Sequence, residues 1–286
     1  ANTTSFFSLL GDVRPEIESA LESALSGMTG EHGERFPLDA WLVAEAGRRV
    51  SRGKLMRGGL VIGAYEAFGG TNRRTAVQAA AAIELYGTGL LMQDDVTDRS
   101  GTRRGLPTIH VIASAKAEEL ALHDPAHFGE NCGTYLGDIL FFTAQSVLAH
   151  LPLTSQQVQS ISGLCARELW LLGFAQLEDM RLSKVPRSDA SVTSDQLLAM
   201  YAGKTGRYSV AWPLGIGALL AGAPSVVIDT LTDIGTQIGV LFQLRDDELG
   251  LFGDPAETGK SNEDDLREGK KTLYWRHLIA SLPQDD

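Results

Sequence analysis

The sequence predicts an all-α fold, and three observations support that prediction. Near the N-terminus, apolar residues recur every four positions from Ile17 to Leu25, as they do along one face of a helix. Later apolar-rich runs are too long to be strands and cover residues 76–96, 156–182 and 226–249. No alternating pattern leads into an Asn-Gly or Asp-Gly turn, so β-sheets are expected to be minor or absent.

Polar connectors separate the predicted helices. They lie near residues 28–38, 99–107, 183–195 and 253–272. None has the composition of a flexible linker between domains, so we predict a single helical domain over residues 1–286. The last connector is longer than most loops of a compact domain, and such loops are typically functional.

One apolar segment has a composition close to that of a membrane span. Residues 209–228 are mostly apolar, but they include Pro213, Pro224 and three glycines. A buried helix of a large bundle is the better interpretation, because prolines and glycines interrupt the segment. The chain is therefore expected to have no membrane-spanning helix.

The charge balance argues against nucleic acid as a partner. The chain has 25 Lys and Arg against 36 Asp and Glu, a formal net charge of −11. A phosphate backbone requires a basic face, whereas phosphorylated small molecules fit an acidic protein when divalent cations lie between them. Cys132 and Cys165 are too few for a disulfide framework, and the N-terminal residues lack a signal-like apolar core. A cytoplasmic location is therefore expected.

A first acidic cluster, formed by Asp94, Asp95 and Asp98, ends the first long apolar run. Residues three and four apart share a helix face, so Asp98 is expected beside both other carboxylates. Their mutual repulsion must be offset, and a hard cation with oxygen ligands is the usual solution. Two arginines that suit diphosphate oxygens follow, at Arg103 and Arg104. A solvated acidic helix end with a basic turn after it is the structural alternative.

A second acidic cluster follows the last long apolar run. Gln243, Asp246 and Asp247 are predicted to lie on one helix. The polar connector after that helix contains Lys260 and Lys270. Two carboxylate clusters that face each other across a bundle can hold several Mg²⁺ ions against one diphosphate.

The order and spacing of nine short motifs resemble those of the trans-isoprenyl diphosphate synthases, the polyprenyl synthetase family. The agreement extends over about residues 50–275, most of the chain. In chain order the motifs are Gly-Lys-Leu-Met-Arg at 53–57, Asp-Asp-Val-Thr-Asp at 94–98, Arg-Arg-Gly at 103–105, Gly-Asp at 137–138, Ala-Gln-Leu-Glu-Asp at 175–179, Lys-Thr-Gly at 204–206, Phe-Gln-Leu-Arg-Asp-Asp at 242–247, Gly-Asp-Pro-Ala-Glu-Thr-Gly-Lys at 253–260 and Asp-Leu-Arg-Glu-Gly-Lys-Lys at 265–271.

The resemblance implies an isoprenoid synthase-type helical bundle around a deep central cavity, assembled as a homodimer. It implies a prenyltransferase whose catalysis depends on about three Mg²⁺ ions, held by oxygen ligands. Asp94 and Asp98 would bind two of these ions and Asp246 the third, with Asp95 completing the first catalytic motif. The expected substrates are isopentenyl diphosphate and an allylic diphosphate.

The resemblance also assigns the residues that contact the substrates. The cations expected at the allylic diphosphate are Arg103, Lys204 and Lys260. Isopentenyl diphosphate would be held by Lys54, Arg57 and Arg104, and Lys270 belongs to the same substrate-binding set. The polar residues expected at the reaction centre, where their dipoles favour developing positive charge, are Gln176, Thr205 and Gln243.

The implied reaction is a head-to-tail condensation that gives a trans-prenyl diphosphate, and some positions depart from the family pattern. Gly250 stands where the family has a third aspartate in the second motif. Gly87 stands where the family has a His or Gln that contacts isopentenyl diphosphate. Relatives also carry further C-terminal helices, which this sequence is expected to lack.

Product length is expected to depend on residues that precede Asp94 on its helix. Leu90 and Tyr86 lie one and two i+4 steps earlier, which puts Tyr86 about 12 Å below Asp94 and makes it a candidate cavity floor. In the family, a bulky residue at the position of Gly89 shortens the product, so glycine there would leave the cavity open. Close packing of a neighbouring helix is the alternative reason for this glycine. The twenty-carbon geranylgeranyl diphosphate is the expected product, with a twenty-five-carbon product as its nearest competitor.

Two other functions compete with chain elongation. A non-catalytic or regulatory subunit of a prenyl diphosphate synthase would keep the fold, and Gly87 and Gly250 favour that alternative. A class I terpene cyclase shares metal-assisted ionisation, but it would not need Lys54, Arg57 and Arg104 for a second diphosphate.

Overall fold

The computed structural model describes residues 5–32, 36–186, 189, 191–253 and 269–281. Within these residues the regular structure is helical apart from one short hairpin, which confirms the predicted all-α fold class. The helices are α1 (Phe6–His32), α2 (Asp39–Ser51), α3 (Met56–Ala67), α4 (Arg73–Thr97), α5 (Ile109–Glu119), α6 (Pro125–Ala149), α7 (Ser155–Ser183), α8 (Ser194–Tyr201), a π-helical segment (Ala202–Ala211), α9 (Trp212–Leu220), α10 (Ser225–Phe252) and α11 (Leu273–Ser281).

The chain divides into two compact units. The first comprises Ala1–Ile161 and Ile216–Ala223, and the second comprises Ser162–Gly215 and Pro224–Asp286. The acidic cluster that begins at Asp94 therefore belongs to the first unit, and the cluster at Asp246 and Asp247 belongs to the second.

Helix α4 forms the centre of the first unit. It begins after Asn72, whose side chain accepts a hydrogen bond from the Thr75 N–H as a helix N-cap. Its residues from Thr75 to Gly89 are almost all buried, because α1, α3 and α6 pack around it. A helix that is apolar on every side is typical of such a position. The periodic residues Ile17 and Leu25 of α1 are buried as well.

A two-stranded hairpin follows α4, so the expectation of minor sheet structure is confirmed for the described residues. Strand β1 (Thr102–Arg103) pairs antiparallel with β2 (Leu106–Pro107). The turn residues Arg104 and Gly105 have φ values of +53° and +74°. Two consecutive left-handed residues are characteristic of the type I′ turn that suits a tight hairpin.

The apolar segment at 209–228 is not one continuous helix, so that prediction was wrong. Its residues up to Leu220 are mostly buried, but α9 ends there. Gly222 has a φ of +78°, and α10 begins directly after Pro224. A left-handed glycine followed by a proline ends one helix and allows the next to begin in a new direction.

Helix α10 is the one helix in the described ranges that is long and apolar enough to cross a membrane by length and composition. Only 11% of its most apolar window is buried. Length and composition are weak support for a membrane span, because core helices of water-soluble proteins meet the same criteria. The absence of a membrane span stays a prediction.

In the second unit, α10 packs closely on the π-helical segment Ala202–Ala211. A Cβ atom added at Gly239 would lie 2.4 Å from Cα of Gly206. No side chain fits at this crossing, so glycine permits the close approach. The same approach brings Thr205 within hydrogen-bonding distance of Gln243, at 2.6 Å.

Candidate active site

The first acidic cluster lies at the C-terminal end of α4 and is joined to Arg103. Nε of Arg103 donates to Oδ1 of Asp95 at 2.5 Å, and Nη2 donates to Oδ2 of Asp94 at 3.1 Å. The Asp98 N–H donates to the carbonyl oxygen of Asp94 at 2.8 Å, as the last turn of the helix ends. Carboxylates at the negative end of a helix are unfavourable, so this cluster requires cations, and Arg103 supplies one.

The three carboxylates differ in exposure. Asp95 is buried, whereas Asp94 and Asp98 are half-buried. Burial raises the pKa of Asp95 to about 6, although the Arg103 guanidinium opposes the shift. The neighbouring charges of Asp94 and Asp98 raise that pKa further. Asp95 therefore acts as an internal anchor for Arg103, and Asp94 and Asp98 remain the more accessible oxygen donors.

The hairpin that carries Arg103 and Arg104 is held to α2 by Arg49, for which the sequence predicted no role. Nη1 of Arg49 donates to Oε2 of Glu45 at 2.7 Å, and its Nη2 donates to the carbonyl oxygen of Pro107 at 2.6 Å. Glu45 is buried and Arg49 is largely so. One signal was available, since Glu45 and Arg49 are four residues apart and side chains at that spacing are neighbours on a helix.

A pocket beside this hairpin is lined by four arginines. Asp95 also lines this pocket. Clustered arginines suit a diphosphate, because guanidinium groups form bidentate hydrogen bonds with phosphate oxygens. Two of these arginines were predicted and two were not. The four are Arg49, Arg52, Arg103 and Arg104.

The predicted contacts for isopentenyl diphosphate come partly together. Nη1 of Arg104 lies 3.1 Å from the position that a Cβ on Gly53 would occupy, so this guanidinium covers the backbone next to Lys54. Lys54 is exposed and Arg57 is half-buried. Leu55, between them, has a φ of +54°. Left-handed non-glycine residues cost about 1 kcal/mol or more and are found at functional sites.

In the second unit, a chain of hydrogen bonds connects Thr205 and Gln243, two residues predicted for the reaction centre, to Asp247. Oγ1 of Thr205 donates to Oε1 of Gln243 at 2.6 Å, and Nε2 of Gln243 donates to Oδ1 of Asp247 at 2.7 Å. The hydroxyl of Tyr201 donates to Oδ2 of Asp247. Asp247 is buried, whereas Asp246 is exposed. Within this motif, Asp247 thus accepts hydrogen bonds inside the protein, whereas Asp246 is accessible to a ligand.

The other predicted residues of the second unit have mixed outcomes. Nζ of Lys204 donates to Oδ2 of Asp179, a buried carboxylate that had no predicted role. Gln176 lies three residues earlier on α7 and is half-buried, as is Lys270. Lys260 lies outside the residues that the structure describes.

The residues predicted to set product length lie within α4, and the structure favours the packing explanation for Gly89. A Cβ atom at Gly89 would lie 2.7 Å from both the carbonyl oxygen of Gly137 and Cε1 of Phe141 on α6. Tyr86 is 2% exposed, and its hydroxyl donates to Oε1 of Gln145 at 2.9 Å. Its ring centroid is 6.0 Å from that of Phe141. Leu90 is half-buried. Phe141 therefore fills the space that glycine leaves.

The aspartates of the two acidic clusters are oxygen ligands of the kind that Mg²⁺ prefers. In the described part of the chain, no three His, Cys, Asp or Glu side chains converge as a complete metal cage. Mg²⁺ is typically held by one or two carboxylates together with substrate phosphates and water, rather than by an all-protein cage. The first unit offers such carboxylates at Asp94 and Asp98, and the second unit offers one at Asp246.

Comparison with known proteins gives a consistent result. A family profile described as polyprenyl synthetase matches residues 40–286. The chain is 34% identical over 274 residues to the geranylgeranyl diphosphate synthase of Mycobacterium tuberculosis (strain ATCC 25618 / H37Rv), covering 95% of this chain and 70% of that protein. It is 34% identical over 240 residues to the (2E,6E)-farnesyl diphosphate synthase of Mycobacterium bovis (strain ATCC BAA-935 / AF2122/97), covering 82% and 60% respectively.

A solved structure shares the fold. The crystal structure of geranylgeranyl pyrophosphate synthase from Corynebacterium glutamicum, complexed with isoprenyl diphosphate and magnesium, matches with a TM-score of 0.82. The identity is 31%, and the match covers 92% of this chain and 74% of that one. The chain thus spans between 60% and 74% of the length of these three relatives.

Proposed function

The chain belongs to the polyprenyl synthetase family, and from that premise we propose that it is a prenyltransferase. The proposed reaction condenses isopentenyl diphosphate head-to-tail with an allylic diphosphate, and it depends on magnesium. The observation that carries the proposal is the joining of Asp94 and Asp95 to Arg103 beside a pocket lined by arginines. Carboxylates and guanidinium groups side by side are what two diphosphates and their counter-ions require.

Magnesium ions would be held by the accessible carboxylates of Asp94, Asp98 and Asp246. When bound, they would supply charge neutralisation for the departing diphosphate. The relative from Corynebacterium glutamicum was crystallised with isoprenyl diphosphate and magnesium, which supports the same ligand classes for this chain. About three ions per site remain the family expectation, in keeping with oxygen ligation.

The cations of the chain bind and orient the two substrates. Arg103, anchored by Asp95, presents its guanidinium to the allylic diphosphate, and Lys204 and Lys260 contribute further positive charge. Arg104 and Lys54, with Arg57, hold isopentenyl diphosphate. Gly87 offers no side chain to isopentenyl diphosphate, and Arg52, which lines the same pocket as Arg104, adds a hydrogen-bond donor for it.

The reaction breaks the allylic carbon–oxygen bond and forms a carbon–carbon bond with the double bond of isopentenyl diphosphate. Thr205, Gln243 and Gln176 face the developing allylic cation with oxygen dipoles, which lowers the barrier electrostatically. The released diphosphate accepts the proton that the new cation loses. No protein nucleophile is required, and the cation must be kept from water until the new bond forms.

The proposed product is geranylgeranyl diphosphate. Relatives named as geranylgeranyl diphosphate synthases support this length, although a farnesyl diphosphate synthase matches at similar identity. Tyr86 is proposed as the floor that stops elongation. Because Phe141 fills the space beside Gly89, that glycine no longer argues for a longer product.

We further propose that residues 1–286 act as one catalytic domain in a cytoplasmic homodimer. An exposed apolar stripe on α6 supports association with a second copy, since such stripes mark interfaces. Its members recur at helical spacing on one face of α6 and are Tyr135, Ile139 and Phe142.

Diphosphate release with each substrate separately and with both together tests the proposed reaction. The assay uses purified protein, magnesium, isopentenyl diphosphate and farnesyl or geranyl diphosphate. Elongation predicts release only when both substrates are present, with one diphosphate released for each isopentenyl diphosphate consumed. Release from the allylic substrate alone would identify a terpene cyclase, and no release under any condition would identify a regulatory subunit.

A further inference from the structure

We propose that Tyr201 and Asp247 are positioning residues that decide which end of the Gln243 side-chain amide faces the reacting substrates. This inference rests on the proposed prenyl transfer and adds two residues to it. Asp247 belongs to the second acidic cluster, in which Asp246 is the proposed magnesium ligand, and Tyr201 has no assigned contact with metal or substrate.

The orientation of Gln243 matters because its amide has two ends of opposite character. The carbonyl oxygen Oε1 is an acceptor, and the amino group Nε2 is a donor of two hydrogen bonds. An allylic cation is stabilised by an oxygen dipole and destabilised by an N–H dipole. A rotated amide would therefore change the contribution of Gln243 from favourable to unfavourable.

The structure fixes the orientation through Asp247. Nε2 of Gln243 donates to Oδ1 of Asp247 at 2.7 Å, and the residues are four apart on α10. A carboxylate that accepts hydrogen bonds cannot accept one from Oε1, so rotation of the amide would lose the bond and place two acceptors together. Oε1 accepts one hydrogen bond from Thr205 and keeps a second lone pair for positive charge.

Tyr201 in turn holds Asp247. Its hydroxyl donates to Oδ2, the oxygen that Gln243 does not use. The Leu273 N–H donates to the same hydroxyl at 3.2 Å, which leaves the hydroxyl hydrogen for Asp247. Tyr201 is 3% exposed and packs in a small apolar cluster with Leu197 and Met200. Because Tyr201 and Asp247 are both buried, hydrogen bonds from protein side chains, instead of water, stabilise the Asp247 carboxylate.

The test is the variant Tyr201→Phe, which removes the hydroxyl and keeps the ring in its apolar cluster. Wild-type protein is first assayed for incorporation of labelled isopentenyl diphosphate, which tests the proposed function by itself. In an active enzyme, Tyr201→Phe is expected to lower kcat by about tenfold to a hundredfold, the cost of small misplacements at a reaction centre. The KM values of both diphosphates are expected to stay unchanged.

Tyr65→Phe is the matched control. The Tyr65 hydroxyl is also buried in the fold and accepts a hydrogen bond from a backbone N–H, that of Asn72, at 2.9 Å. It lies in the first unit and has no proposed part in the reaction. This variant is expected to lose stability as Tyr201→Phe does, but to keep the wild-type kcat. Equal kcat values for the two variants would overturn the inference while leaving the prenyltransferase proposal intact.

A second measurement separates positioning from general stability. In a Gln243→Ala background there is no amide to orient, so adding Tyr201→Phe is expected to change kcat by less than about twofold, which is strong non-additivity. If the two substitutions instead multiply their effects, Tyr201 does not act through Gln243 and the inference is wrong.

Discussion

Nε of Arg103 lies 2.5 Å from Oδ1 of Asp95. The arginine proposed to bind the allylic diphosphate is thus anchored to the carboxylate motif proposed to bind magnesium. The second guanidinium bond, to Asp94, spans 3.1 Å. The side chain of Asp95 is 7% exposed and that of Asp94 is 23% exposed. Asp95 therefore fixes the guanidinium from the interior, while Asp94 contacts it from a more exposed position.

The planar guanidinium group of Arg103, and not only its positive charge, is expected to contribute to binding of the allylic diphosphate. Arg103→Lys keeps the charge but cannot contact Asp94, Asp95 and a diphosphate together. A lost charge-assisted hydrogen bond costs about 1.5–3 kcal/mol, so kcat/KM for the allylic diphosphate is expected to fall by about tenfold to a hundredfold. Steady-state kinetics with the allylic substrate varied provide the measurement. Arg73→Lys, in an exposed pair with Glu16, serves as the control and should behave as wild type.

Close packing of α4 on α6 predicts that Gly89→Ala destabilises the protein. The added Cβ would lie 2.7 Å from the carbonyl oxygen of Gly137, and overpacking of this kind costs about 1–3 kcal/mol. Gly163→Ala on α7 meets no atom within 4 Å and should instead stabilise its helix by about 0.5–1 kcal/mol. Urea unfolding of both variants checks the prediction. An equal gain in both would show that Gly89 leaves open space.

Tyr86 is expected to limit the product through the volume of its ring. Tyr86→Ala should lengthen the product beyond that of wild type, because it removes the wall that Phe141 supports. Tyr86→Phe keeps the ring and loses the hydrogen bond to Gln145, so it should cost about 1 kcal/mol of stability without changing length. Mass spectrometry measures the chain length of the products of both variants. An unchanged product from Tyr86→Ala would remove Tyr86 as the floor.

The exposed apolar stripe on α6 predicts a homodimer, and one charged substitution within the stripe is expected to disrupt it. Phe142 is 74% exposed, and Phe142→Arg is expected to give a monomer in light-scattering measurements because a buried unpaired charge opposes association. Phe7 on α1 is also 74% exposed, so Phe7→Arg is the matched control and should remain dimeric. A dimer that survives Phe142→Arg would exclude this stripe as its interface.

The long helices were predictable because their apolar periodicity is local. Helix α4 was predicted at 76–96 and observed at Arg73–Thr97, and α7 was predicted at 156–182 and observed at Ser155–Ser183. The carboxylates and arginines near the end of α4 were also found from spacing and charge alone. The hydrogen bond between Asp95 and Arg103 was not predicted, although the two residues are only eight positions apart.

Contacts between distant residues were not predictable from local patterns. The bond between Tyr201 and Asp247 joins residues 46 positions apart. The choice between an open cavity and close packing at Gly89 depended on Phe141, which belongs to another helix. The hairpin turn at Arg104 was missed because a left-handed arginine is unusual and lacks the Asn-Gly or Asp-Gly signal.

The most direct test of the central claim is product analysis with farnesyl diphosphate, labelled isopentenyl diphosphate and magnesium. Reactions with EDTA, and with the Asp94→Ala variant, run alongside as controls. A labelled twenty-carbon diphosphate is expected in the complete wild-type reaction and in neither control. Failure of the wild-type protein to incorporate label with farnesyl or geranyl diphosphate would contradict the claim that this chain elongates prenyl diphosphates.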